Sequence, residues 1–190
     1  VTAQEVSDFF TRIHAEEGVK IECNKSVTSF IGKDSFVNCV ACRDGTHYDA
    51  DFVIVGIGVL PNIELAEAAG LEVDNGIVVD NFACTSDADI VSAGDCTNHP
   101  NQLLDRRLRL ESVPNALEQA RTAASFLCSR RRPYASVPWF WSDQYDIKLQ
   151  IVGLKAGYDE KVVRGDHSSG RSFVVFYFKE RSLVSAECVN

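Results

Sequence analysis

The chain has no methionine among its 190 residues and only 2 tryptophans and 5 prolines. With no initiator Met, it is expected to be a piece of a longer protein. No apolar run approaches the roughly 20 residues that a membrane-spanning helix requires, so no helical membrane span is expected. No secretory leader is expected from the opening residues. Positive charge is scarce. The 19 Lys and Arg against 27 Asp and Glu leave a formal charge of −8 at pH 7, which argues against nucleic acid and anionic membrane surfaces as partners. There is no second Cys-x-x-Cys and no His pair, so Cys39-Val40-Ala41-Cys42 has nothing to complete a metal site.

The chain does have an ordinary soluble composition, 45% hydrophobic and 24% charged. Its 7 cysteines are odd in number and irregularly spaced. That suits a reducing compartment, and a cytoplasmic location is expected. Cys39 and Cys42 lie in a strand-like run, where residues three apart face opposite ways. Structural thiols are therefore expected rather than a redox pair. Cys96 reads as a small buried apolar residue.

Hydrophobic periodicity divides the chain into elements. Residues 1 to 17 show helical spacing, with Val6, Phe9, Phe10 and Ile13 on one stripe and Gly18 as the stop. Val19 to Cys23 reads as a short strand. Ser26 to Ile31, Phe36 to Arg43 and His47 to Tyr48 read as an antiparallel meander, joined by Gly32-Lys33-Asp34 and Asp44-Gly45. Asp51 to Gly58 is almost wholly apolar and predicts a strand buried on both faces of a parallel sheet. Ile63 to Ala69 predicts a short helix, and Ile77 to Val79 and Ile90 to Ala93 predict strands. A helix is expected over Val113 to Ser129, with Pro114 in its first turn. Cations at Arg130, Arg131 and Arg132 would lie beside its last carbonyls. After Pro133 the texture changes. An aromatic-rich segment, Val137 to Tyr145, precedes four alternating runs: Lys148 to Val152, Glu160 to Arg164, Phe173 to Phe178 and Ser182 to Val189. These predict an antiparallel sheet cut short at its last strand.

The most informative stretch is Thr85 to Cys96, which contains Gly94-Asp95. A glycine and a carboxylate at the end of the 90–93 strand, facing the helix that begins after Glu111-Ser112, would form a polar crevice. Ligands bind in such crevices in open α/β sheets. The carboxylate would accept hydrogen bonds from hydroxyls, and the helix end would offer N–H groups to ligand oxygens.

Four motifs in this order resemble one family. They are Val55-Gly56-Ile57-Gly58-Val59-Leu60-Pro61-Asn62, the stretch from Thr85-Ser86 to Gly94-Asp95, Glu111-Ser112-Val113-Pro114-Asn115-Ala116, and Trp139-Phe140-Trp141-Ser142-Asp143-Gln144-Tyr145. The family is the FAD-dependent, NADH-using ferredoxin reductases of bacterial oxygenase systems, within the wider pyridine nucleotide–disulfide reductase class. The resemblance implies an α/β fold: a Rossmann-like flavoprotein with two dinucleotide-binding domains and a β-meander, followed by an α+β C-terminal domain. Residues 1–72 would be the C-terminal half of the NAD domain, 73–135 the second FAD segment, and 136–190 the start of the C-terminal domain. Neither Gly-x-Gly-x-x-Gly phosphate loop is in the chain, so most of the pyrophosphate-binding apparatus is missing from it.

The resemblance also implies roles, each with a plainer rival. Asp95 would hold the FAD ribityl chain, or simply cap a turn. Gly94 would let backbone approach closely. Val113, following Ser112, would meet the flavin edge at a helix N-terminus, or be an apolar helix-entry residue. Glu111 would contact the nicotinamide or shape its pocket, or only complement the helix dipole. Gly56, Ile57 and Gly58 would pass beside NAD, or form an interdomain turn. Trp141 would stack in the cofactor pocket, or pack a domain interface, and Trp139 is expected in the core. Arg106, Arg107 and Arg109, with Arg130, Arg131 and Arg132, would supply a docking patch for an acidic [2Fe–2S] ferredoxin. The implied activity is electron transfer from NADH through FAD to that ferredoxin, with no acid–base residue needed. An NADH-dependent disulfide or peroxide reductase is the rival enzyme reading, and an inert module is the reading for the isolated piece.

Overall fold

The computed structural model describes residues 2–102 and 104–190, so Val1 of the expected first helix lies outside the described residues. The chain divides into two compact units. One is Phe10–Val59, and the other is Val1–Phe9 with Leu60–Asn190.

Helix α1 (Gln4–Glu16) follows the expected stripe: Val6, Phe9 and Ile13 are each 1% exposed. Gly18, at φ +81°, ends the turn that follows it. In the Phe10–Val59 unit, β1 (Val27–Lys33), β2 (Phe36–Cys42) and β3 (His47–Asp49) form the expected antiparallel meander. Asp34 and Ser35 both have positive φ in the β1–β2 turn, the geometry that a tight hairpin requires. β1 bulges at Gly32, where a Cβ would meet Phe36 O at 2.3 Å. The ammonium of Lys25 closes the next turn, lying 2.6 Å from the Asp44 carboxylate.

Two expectations fail in this unit. Residues 19–23 form no strand, and neither does 51–58. Ile54 is 85% and Ile57 92% exposed. Apolar composition makes a strand only where a neighbouring strand accepts its ladder, and among the described residues none pairs with this run.

In the other unit, α2 (Glu64–Ala68) is the expected short helix, with Gly70 at φ +72° just beyond it. β4 (Ile77–Val78) pairs in parallel with β5 (Thr97–Asn101), which pairs antiparallel with β6 (Arg106–Leu108). The expected strand at 90–93 is reduced to one bridge, between Val91 and Cys84. The strand lies after Gly94-Asp95 rather than before it. β5 reads Thr-Asn-His-Pro-Asn, which has no apolar periodicity to reveal it, although Thr97, Asn98, His99 and Asn101 are all buried.

Helix α3 (Val113–Leu127) has Ser112 as N-cap, its Oγ accepting from Asn115 N–H at 3.4 Å. It ends in a paired cap. Ser129 N–H donates to Phe126 O at 2.9 Å and Arg130 N–H to Ser125 O at 2.8 Å, with Ser129 at φ +59°.

The last five strands, β7 (Trp139–Gln144), β8 (Ile147–Gly153), β9 (Glu160–Gly165), β10 (Phe173–Lys179) and β11 (Ser182–Val189), form one antiparallel sheet in the order β7-β8-β11-β10-β9. β11 is central and paired on both sides. Alternation buries Ile147, Leu149, Phe173, Val175 and Tyr177 on one face. Phe9 packs edge-on against Phe173, with centroids 5.3 Å apart. Ahead of α1, Ala3 N–H donates to the buried Glu187 carboxylate at 2.8 Å, and Lys155 Nζ lies 2.9 Å from the same group. A carboxylate at a helix N-terminus complements the helix dipole.

Truncating Ile147, which is fully buried, to Ala is expected to cost about 3 kcal/mol by leaving a cavity. Lys148→Ala, on the opposite face, should change stability by no more than about 0.5 kcal/mol. Urea unfolding checks both, since the Ile147 variant should lower the midpoint without changing the slope.

Candidate cofactor site

Gly94 and Asp95 sit in a tight turn that leads into β5. Thr97 N–H donates to Gly94 O at 3.0 Å, closing the turn. Gly94 has φ +92°, a conformation that glycine adopts without strain. A Cβ built there would touch Ala116 of α3 at 3.5 Å. The turn therefore packs on the first part of α3, although Gly94-Asp95 starts a strand instead of ending one.

A buried polar network fixes this packing. Gln119, 1% exposed, accepts from Gly94 N–H at 2.7 Å. Thr97 Oγ lies 2.6 Å from the same amide oxygen and 2.9 Å from Gly94 O. The Gln119 amide nitrogen is 2.9 Å from His99 Nδ1. Because Gly94 N–H is a fixed donor, Gln119 Oε1 faces it and Nε2 donates to the ring. His99 must then carry its proton on Nε2. Burial, and then the nearby Arg107 cation, lower the His99 pKa from 6.5 to about 4, so the ring is neutral at pH 7. Below the network, Tyr134 O–H donates to Asn115 Oδ1 at 2.9 Å and Asn115 Nδ2 to Leu110 O at 2.8 Å.

Arg109 joins the rest of the candidate site. Its guanidinium donates to Asp95 O at 3.2 Å and pairs with the Glu111 carboxylate at 2.5 Å. The Asp95 side chain is exposed. Val113, at the first turn of α3, is 57% exposed. An N1 residue has no intrahelical acceptor for its N–H. Trp139 and Trp141 lie on the same face of β7 with ring centroids 5.2 Å apart. A cavity of about 480 Å³ runs between this pair and the start of α3, bounded also by Leu117, Arg121 and Tyr134. Trp139 is 41% exposed, so it is not the core residue expected. Glu111 and Ser112 line a second cavity of about 480 Å³ against Phe140 and Leu149.

The structure thus brings Gly94, Asp95, Glu111, Ser112 and Val113 together and sets Trp141 across a cavity from Val113. Gly56, Ile57 and Gly58 belong to the Phe10–Val59 unit, where they are exposed, with Gly58 at φ +105°. Four of the six arginines have contacts of their own within the chain. Arg107 donates to Val79 O and Asn98 O, each at 2.5 Å. Arg109 is committed as described. Arg131 lies over the rings of Phe82 and Phe126, and Arg132 is 3.4 Å from Glu118. Arg106, Arg107, Arg130, Arg131 and Arg132 are all exposed, and Arg109 is half-buried. The sequence reading missed Thr97, His99 and Gln119. Only the position of Gln119 on the inner face of α3, two turns from its start, could have pointed to it.

Among the described residues, no group of three or more His, Cys, Asp and Glu side chains is gathered as a metal site needs. All seven cysteines are unbridged, and burial raises the thiol pKa of Cys84 and Cys188. No helix among the described residues is long and apolar enough to cross a membrane.

A dinucleotide-type α/β unit followed by a five-stranded antiparallel sheet defines a class. The chain belongs to the pyridine nucleotide-disulphide oxidoreductase family, whose model matches residues 1–120, and a reductase C-terminal model matches residues 139–190. Among individual proteins, it is similar to putidaredoxin reductase of Pseudomonas putida (48% identity, covering 100% of this chain and 45% of that protein). It is also similar to rhodocoxin reductase of Rhodococcus erythropolis (45% identity, 97% and 43% covered). The crystal structure of the covalent putidaredoxin reductase–putidaredoxin complex superposes with a TM-score of 0.94 at 48% identity, covering 100% of this chain and 46% of the matched one. The chain spans less than half the length of these relatives.

The neutral His99 has a pH consequence. Its folded pKa of about 4 lies below the ordinary 6.5, so the unfolded chain takes up this proton first as the pH falls. Stability should be full above about pH 6.5 and decline by up to about 3 kcal/mol towards pH 4. A histidine ring signal titrating near pH 4, with matching loss of unfolding free energy, is the expected measurement.

Proposed function

We propose that the full-length protein is a flavoprotein that passes electrons from NADH through FAD to a [2Fe–2S] ferredoxin serving an oxygenase. The carrying observation is the exposed Asp95 carboxylate on a turn packed against the N-terminal part of α3. Relatives named as ferredoxin reductases, matching along the whole chain, support it.

The residues present fit one end of FAD. Asp95 offers an acceptor to ribityl hydroxyls, and its backbone is held by Arg109. The first turn of α3, at Val113, offers an N–H and the positive end of the helix dipole to the flavin edge. Trp141 bounds the adjoining cavity, where a ring can stack. Glu111, paired with Arg109, would shape the nicotinamide side, and Gly56, Ile57 and Gly58 would pass beside NAD. The chain has no Gly-x-Gly-x-x-Gly, so most of the pyrophosphate-binding apparatus would come from the rest of the protein. When bound, the flavin supplies the conversion of a two-electron donor into one-electron steps. The protein's own part is to bind, orient and tune. In this reading residues 1–72 complete the NAD domain, 73–135 the FAD domain, and 136–190 the C-terminal domain. The protein works in the cytoplasm. Of the six arginines first considered, Arg106, Arg107, Arg130, Arg131 and Arg132 are exposed and would meet an acidic partner.

The test uses the full-length protein purified with flavin. NADH should bleach the flavin absorbance without oxygen, and a [2Fe–2S] ferredoxin should then accept the electrons. Flavin that stays oxidised under excess NADH, or failure to reduce any iron–sulfur protein, would refute the proposal. Asp95→Ala should weaken FAD binding by about tenfold or more, the loss of a hydrogen-bonded charged partner.

A further inference from the structure

We propose that Gln119 is a positioning residue for FAD binding, holding the Asp95 turn at a fixed distance from the α3 N-terminus through a single buried amide. The inference rests on the reading of Asp95 as the cofactor carboxylate.

The geometry carries it in three steps. First, both ends of the amide are engaged: Oε1 with Gly94 N–H and Thr97 Oγ, Nε2 with His99 Nδ1. Second, those partners flank Asp95 in sequence. Gly94 and Thr97 are the ends of the turn, and the Thr97 N–H to Gly94 O bond closes it. Asp95 is one of the two residues between them, and its side chain is exposed. Third, Gln119 stands on the same helix whose first turn is the opposite wall of the proposed site. A shift of the amide therefore moves one wall against the other. An apolar residue of equal volume would fill the space, but it would leave Gly94 N–H buried without an acceptor, a loss comparable to a hydrogen bond. Rotating the amide by half a turn would aim its NH₂ at the Gly94 N–H, a fixed donor. With the amide fixed by Gly94, its Nε2 donates to His99 Nδ1.

Gln119 acts through Asp95, so the two should not be independent. FAD affinity is measured by titrating flavin into the full-length apoprotein for Asp95→Ala, Gln119→Met and the double variant, with circular dichroism confirming the fold. Gln119→Met should weaken binding about tenfold, and the double variant should be no weaker than Asp95→Ala within about twofold, as expected for coupled sites. Losses that multiply would mean Gln119 acts elsewhere and would overturn the inference. Full affinity in Gln119→Met would do the same. If Asp95→Ala itself binds FAD normally, the reading of Asp95 fails and the inference fails with it. If Gln119→Met does not fold, Thr97→Val replaces it in the cycle, with the same non-additivity expected and multiplying losses again refuting it.

Discussion

A strand of polar residues buried inside the larger unit constrains what surrounds it. β5 places Thr97, Asn98, His99 and Asn101 out of water, and each buried polar atom without a partner costs about 1–3 kcal/mol. The neighbours supply most of those partners, although Asn98 Oδ1 and His99 Nε2 are buried without one. Gln119 serves Thr97 and His99, and Asp74 O accepts from Asn98 Nδ2 at 2.6 Å. Asn101 Oδ1 accepts from Leu104 N–H at 3.2 Å. Arg107, on the adjacent strand, donates to the Asn98 and Val79 carbonyls. An apolar strand would have tolerated many arrangements of similar volume. This one specifies where α3 must lie, and so where the candidate crevice opens.

The same helix serves packing and site together. Its first turn, capped by Ser112, borders the cavity beneath the tryptophan pair. One turn further in, Ala116 meets Gly94. At Gln119 it reaches the core network. The candidate site is therefore built from regular elements and one tight turn, and its geometry follows from buried hydrogen bonds rather than from loop contacts.

Much of this was legible in the sequence wherever the signal was periodic or tied to backbone geometry. The meander, α1, α3 and the four alternating C-terminal strands follow from spacing and turn residues. The readings that failed share a cause. Asp51 to Gly58 and Ile90 to Ala93 are apolar enough for strands, but a ladder needs a second strand, and composition says nothing about its presence. Thr97 to Asn101 failed in the opposite sense, since its side chains are buried through hydrogen bonds that no hydrophobic pattern records. Trp139 was expected in the core, but the alternation of β7 sets it beside Trp141 at the cavity rim. In the candidate site, Gly94, Asp95 and the helix start could be read from local motifs. The links among them could not. Gln119 is distant in sequence from the turn it holds, and Arg107 and Arg109 looked like surface charge until their acceptors were seen.

The central position of β11 bears on how the chain acquires its structure. The order β7-β8-β11-β10-β9 means that two hydrogen-bonded pairs, β7 with β8 and β9 with β10, stay separate until the fifth strand enters between them. Glu187 on that strand also accepts from Ala3, 184 residues away. Such contacts give a high contact order and slow closure. Before β11 arrives, β8 and β10 each present an unpaired edge to other chains. During synthesis both edges therefore stay open until β11 is delivered.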